Sequence, residues 1–232
     1  VCTFILLHRP DLAGATEAWP LIVAANRDEM LARPWEPPAE HWPDQPGVIG
    51  GLDTLAGGTW LGMNGAGVVA GVLNRTGSLG PSADKRSRGE LPLLALRHRS
   101  AAAAAGALAA LDGREWRSFN LVVADNDAAF FVRGLGTGPV VVRPLPAGMS
   151  MVTAADPNDT SNPRVARHLP RFQAAAPPDP PDWGSWPDLL ADGGLPRDSA
   201  LCVPAAGGFG TVSSMLIAVA PGRSDVRFWA VK

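Results

Sequence analysis

The chain has 232 residues, a formal net charge of -2, 46% hydrophobic residues and 18% charged residues. That length and apolar content permit a sizeable core, read here as one domain over residues 1–232. The near-neutral charge offers nothing that would hold a nucleic acid, and no apolar run is long enough to span a bilayer. Two cysteines, Cys2 and Cys202, are too few for a disulfide scaffold or a cysteine-rich zinc site. No basic segment followed by a long apolar one opens the chain, so a cytoplasmic protein is expected.

Strands are predicted from the start. Residues 3–8 (TFILLH) and 21–25 (LIVAA) read as buried strands. Residues 32–47, rich in Pro and Trp, read as an ordered loop. Residues 59–63 and 67–74 form a hairpin around Asn64-Gly65-Ala66-Gly67. Residues 77–86 are polar and read as flexible. Ser87-Arg88-Gly89-Glu90 has the spacing of a capping box, which predicts a helix through Arg97 with Pro92 in its first turn. Ser100 caps a second, alanine-rich helix to Leu111. Strands follow at residues 120–124, 129–133, 139–143 and 149–154, with Asp125-Asn126-Asp127 turning between the first two. Short helices are predicted over 164–173 and 186–191. Strands at 201–203, 212–220 and 226–231 close the chain, the last two joined by Ala220-Pro221-Gly222. Antiparallel hairpins with helices grouped in the middle indicate an α+β fold, helices covering antiparallel sheets. Of the eight Trp, several lie beside Pro (Trp19, Trp42 and Trp186), and these read as loop anchors.

Chemistry is sought first at Cys2. Val1 is read as a literal translation of a GTG start codon. Removal of the initiating Met would then leave Cys2 first. A free α-amine titrates at about 7.7–8.0 and a thiol at about 8.5. One residue would then supply both nucleophile and general base. The plainer reading is the first residue of a buried strand. Asn26-Arg27-Asp28-Glu29, just after an apolar strand, marks either a sheet rim carrying a site or a solvated turn with a local ion pair. An Arg there would stabilise a thiolate, and a carboxylate would orient an ammonium. Residues 57–62 (GGTWLG) are a tight loop entering a hairpin and lack the lysine of a phosphate loop. Asn74, ending the hairpin, is an oxyanion donor or a turn residue. Residues 85–88 are a solvated loop or a grip on a carboxylate. Cys202 reads as a buried small hydrophobe. His8, His41, His98 and His168 have no metal-ligand spacing, so neither a metal nor a cofactor is expected.

Taken in order, Cys2-Thr3, Asn26-Arg27-Asp28-Glu29 with Arg33-Pro34, residues 57–62, Asn74, residues 87–91 (SRGEL), Phe119-Asn120-Leu121 and Phe209-Gly210-Thr211 resemble the NRDE family, itself similar to the eukaryotic transport-and-Golgi-organisation family. The resemblance implies the four-layer αββα sandwich of N-terminal-nucleophile hydrolases. A further likeness is to the cysteine-type amidases of that fold, such as penicillin V acylase and bile salt hydrolase, through Gly62-Met63-Asn64 leading to Asn74. It implies Cys2 as nucleophile and base, Arg27 and Asp28 as the groups that set its protonation, and Asn74 as oxyanion donor. Whether Asp28 or Glu29 meets the amine stays open. Asn26, Glu29, Trp60, Asn64 and Arg88 are the expected substrate contacts. Two family features are missing: Thr153-Ala154 stands where a second Asn is found, and no C-terminal Arg follows Thr211. The implied function is hydrolysis or acyl transfer at a C–N bond of a small molecule. The alternative is a non-catalytic protein that binds or transfers haem or a lipid or acyl-CoA.

Overall fold

A computed structural model describes residues 2–15, 17–78, 80 and 82–231. The expectation about Val1, and the parts of the 77–86 loop at Leu79 and Pro81, lie outside the described residues. The strands, all antiparallel to their neighbours, form two sheets belonging to two compact units, residues 1–33 with 147–232 and residues 34–146.

In the first unit, the apolar run Thr3–His8 forms β1, buried at every residue. Its partner β2 is Leu21–Met30, longer than the predicted 21–25. The Asn26-Arg27-Asp28 run therefore lies inside the strand and is buried, which corrects the expectation of polar residues following it. Pairing explains the extension, because the last strand but one reaches back along β2 as far as Met30.

The second unit supplies β3 (Trp35–Ala39), β4 (Ile49–Asp53), β5 (Leu61–Met63) and β6 (Val69–Asn74). Part of the predicted 32–47 loop is thus a strand. Its prolines, Pro37 and Pro38, are tolerated because β3 is the edge of its sheet. Helices α1 (Glu90–Leu96) and α2 (Ala101–Ala109) follow, then β7 (Phe119–Ala124), β8 (Ala129–Gly134) and β9 (Val141–Pro144). The sheet runs β3-β4-β5-β6-β7-β8-β9. Its core joins Leu91, Leu96, Ala104 and Leu108 of the helices to Ala70, Leu121, Val123 and Val132 of the strands.

Ser100 caps α2 as expected, accepting from the Ala103 amide. The capping box before α1 does not form. The Ser87 hydroxyl accepts from Gly89 N–H, and Glu90 pairs with Arg86 instead of reaching back. The reason is a close backbone approach. Gly58 and Gly89 pack so tightly that a Cβ on Gly58 would sit 2.5 Å from the Gly89 carbonyl carbon, and Thr59 N–H donates to Gly89 O at 3.0 Å. The glycine-rich 57–62 loop and the SRGEL segment are therefore two halves of one contact.

The chain then returns to the first unit with β10 (Gly148–Val152), α3 (Pro163–Ala174), α4 (Trp186–Leu190), β11 (Phe209–Ala220) and β12 (Arg223–Ala230), and the sheet order is β10-β1-β2-β11-β12. The β11–β12 hairpin turns through Pro221-Gly222, with Gly222 at φ 73°, as Pro-Gly predicts. Residues 201–203 are not a strand. The amides of Leu201 and Cys202 both donate to Asp192 O, which curls the segment out of any ladder. Ile22, Ala24, Leu216 and Ala218 of the sheet pack on Val165, Leu169 and Phe172 of α3 and on Trp186 and Leu190 of α4. Trp186 is fully buried at the start of α4, edge-on to Phe172 at 5.1 Å. It is a core residue, where a loop anchor was expected.

Candidate active site

Strand alternation decides where each member of the Asn26-Arg27-Asp28-Glu29 run points. Ile22 and Ala24 face the helices of their unit. Asn26 and Asp28 continue that face. Arg27 and Glu29 take the other, where Arg27 Nη2 and Glu29 Oε2 are 3.8 Å apart.

Asn26 acts as a three-way brace. Its amide donates to Leu190 O at 3.0 Å and Leu201 O at 2.9 Å, and its carbonyl accepts from the Ser214 hydroxyl at 2.6 Å. Asp28 is held in the same layer. Its Oδ2 accepts from Arg164 Nη1 at 3.1 Å, and its Oδ1 accepts from the Thr211 hydroxyl at 2.6 Å. Arg164 Nη1 also donates to Thr3 Oγ1 at 2.9 Å. All of these side chains are buried.

Cys2 sits at the head of β1, half-buried. Its sulfur lies against the Asp28 peptide, accepting from Asp28 N–H at 3.4 Å and donating to Asp28 O at 3.6 Å. Burial pushes the thiol above its ordinary value. The Asp28 carboxylate pushes the same way, while Arg27 pulls it down. A thiol so placed is protonated at neutral pH and needs a base before it attacks anything. Continuing the β1–β10 register, in which Phe4 faces Val152, puts Ala154 opposite Cys2.

Cys202 lies near the same carboxylate. It is half-buried, more open than the small core hydrophobe that was expected. Burial and then Asp28 raise its thiol, against a hydrogen bond with Thr211.

The remaining predicted residues lie in the second unit. Asn74 ends β6 opposite Phe119 and is half-buried. Asn64 makes four hydrogen bonds to backbone: its amide donates to Leu96 O and His98 O, and its oxygen accepts from Ala66 and Val68 N–H. The Arg88 guanidinium donates to Ser78 O, Ser118 O and Gly80 O. Trp60 stands edge-on to Trp35 at 6.0 Å, over Gly51, where a Cβ would meet its ring. Among the described residues, no group of three or more His, Cys, Asp or Glu is placed to hold a metal ion. Nor is any described helix long and apolar enough to cross a membrane.

Arg164 was missed from the sequence. The signal for it was the stripe Arg164, His168, Phe172, spaced by four on a helix whose buried face also holds Val165 and Leu169. An arginine inside such a stripe needs a buried partner. Thr211 was noted as part of a motif, but its role as the clamp on Asp28 was not.

Solved structures share this fold. The N-acylethanolamine-hydrolysing acid amidase ortholog of Caenorhabditis elegans superposes with a TM-score of 0.67 and 14% identity, covering all of both chains. Penicillin V acylase from Agrobacterium tumefaciens gives 0.55 and 13%, covering 99% of this chain and 86% of that one. A conjugated bile acid hydrolase from Clostridium perfringens gives 0.53 and 12%, covering 99% and 92%. The fold class is thus α+β, the αββα sandwich of N-terminal-nucleophile hydrolases. Residues 6–176 match the Transport and Golgi organisation 2 family, and the chain belongs to that family. The Transport and Golgi organization protein 2 homolog of Homo sapiens is 33% identical over 144 residues, 57% of this chain and 51% of the homolog. The Mus musculus homolog is 32% identical over the same length. The chain spans about half the length of the curated relatives it matches.

Proposed function

We propose that this chain is a hydrolase or acyl-transfer enzyme acting on a C–N amide bond of a small molecule, with Cys2 as its nucleophile. The observation that carries the reading is the seat of the sulfur. It lies at the head of β1 with the Asp28 peptide against it and the Arg27 side chain on the neighbouring strand. The fold shared with three amide-cleaving enzymes supports the same reaction type.

In the proposed reaction an α-amine on Cys2 takes the thiol proton, and the thiolate attacks the amide carbonyl. The C–N bond breaks as the leaving amine receives that proton, leaving a thioester on Cys2. Water then adds to the thioester and releases the acid. An acceptor amine in its place would give transfer. The step requires that whatever precedes Cys2 be removed. Glu29 is the carboxylate assigned to that amine, because it shares a strand face with Arg27 while Asp28 is engaged by Arg164 and Thr211. Arg27 would stabilise the thiolate during attack.

The test is intact-mass analysis of native protein after exposure to an activated acyl ester, with tryptic assignment of both the N-terminal peptide and the adduct. The expected result is a chain starting at Cys2 with the acyl group on its sulfur. A Cys2→Ala variant that still turns over acyl amides would remove the proposal. Absence of both an acyl adduct and turnover in the wild-type chain would instead favour the non-catalytic binding reading, tested by haem titration.

A further inference from the structure

Two residues fix where the Cys2 sulfur lies: Thr3, its neighbour along β1, and Asp28, whose peptide it touches. One guanidinium reaches both. Arg164 comes from the first turn of α3, and its Nη1 donates to Thr3 Oγ1 at 2.9 Å and to Asp28 Oδ2 at 3.1 Å. The bond spans 161 residues to Thr3 and 136 to Asp28, so it joins helix layer to sheet and is no local ion pair. Asn162 caps the helix by accepting from the Arg164 and Val165 amides, which fixes the start of α3 and the direction of the side chain.

We propose that Arg164 is a positioning residue for the nucleophile: it clamps β1 to β2 behind Cys2 and balances the carboxylate on the far side of the Asp28 peptide. The resemblance to known amidases left a missing C-terminal arginine. Here a buried guanidinium enters instead from α3, on the helix face of the sheet. It does not touch the reacting atoms. It acts through Thr3 and Asp28 on the placement and acidity of the sulfur. Among the described residues, the charged groups that bear on Cys2 are Asp28 and Arg27 on β2. Glu29 acts through Arg27, and Arg164 acts through Asp28. Just past the end of β10 lie Thr153 and Ala154, which carry no charge. Buried and uncompensated, the Asp28 carboxylate would hold the thiol protonated to higher pH.

The proposal rests on Cys2 being the nucleophile, but its test needs no turnover. The full-length chain is alkylated with iodoacetamide across a pH series, and the Cys2 adduct is read separately from the Cys202 adduct by peptide mass. In Arg164→Met the Cys2 profile should move to higher pH, with alkylation at pH 7 slower by roughly threefold to tenfold. Arg164→Lys should recover most of the rate. Asp28→Asn combined with Arg164→Met removes both charges and should return the profile to the wild-type position or below it.

A folded Arg164→Met variant whose profile superimposes on wild type would overturn the clamp. Where Arg164→Met shows no cooperative melt, the double variant decides, and a profile above wild type overturns the proposal. If the profiles move as expected while Cys2→Ala retains amidase activity, the clamp stands and the catalytic reading fails.

Discussion

The Thr211 hydroxyl joins β2 to the curled segment before β11: it donates to Asp28 Oδ1 at 2.6 Å and accepts from Val203 N–H at 2.7 Å. Asp28 is thereby gripped from β11 as well as from α3. Thr211→Val keeps the shape and removes both bonds, leaving a buried carboxylate oxygen and a buried amide one partner short. The expected loss is about 1–3 kcal/mol in urea unfolding. Thr211→Ser should retain most of that stability. Equal midpoints for the Val and Ser variants would refute the assignment.

Asn26 ties β2 to the end of α4, to the curled 201 segment and to β11 through its three hydrogen bonds. Asn26→Ala takes a hydrogen-bond partner from two carbonyls and a hydroxyl in a buried layer. A loss of roughly 2–5 kcal/mol is predicted. Asn26→Asp should be worse, since a carboxylate would face two carbonyl oxygens. A chemical melt in which the Asp variant equals wild type would contradict this geometry.

The contact of Gly58 with Gly89 is steric, so a single methyl tests it. Gly58→Ala drives a Cβ to 2.5 Å from backbone that cannot swing aside. Destabilisation of about 1–3 kcal/mol is expected, with faster amide exchange at Thr59, whose N–H donates to Gly89 O. Unchanged exchange there would show that the two segments are not pressed together.

His168 is buried in α3, its Nε2 against Ser199 O. Burial holds its pKa below the ordinary value, with help from the nearby Arg171 and Arg167. The unfolded chain therefore binds the proton more readily than the folded one. Stability from this group is full above about pH 6.5 and falls as pH drops below that value toward the folded pKa. Thermal melts from pH 7.5 to pH 5.5 should show a falling Tm in the wild type and a flatter line in His168→Gln. Parallel lines would mean His168 is not the group responsible.

Local pattern carried much of this protein's structure in the sequence itself. Alternation and apolar runs identified β1, β7 and β8, the Ser100 hydroxyl announced α2, and Pro221-Gly222 set the last hairpin. These are short-range effects, governed by one residue's geometry or by neighbours a few positions away. The motif order also pointed to the family and its sandwich fold. The tertiary structure alone decided that Asn26 and Asp28 lie within a strand and face a helix layer, and that Glu29 shares the opposite face with Arg27. It alone brought Arg164 to Asp28 across 136 residues. A polar run after an apolar one looks like a strand end because burial of such groups is unfavourable without partners. Those partners, on α3, α4 and β11, come near only once the strand order is set by packing, which no local pattern encodes.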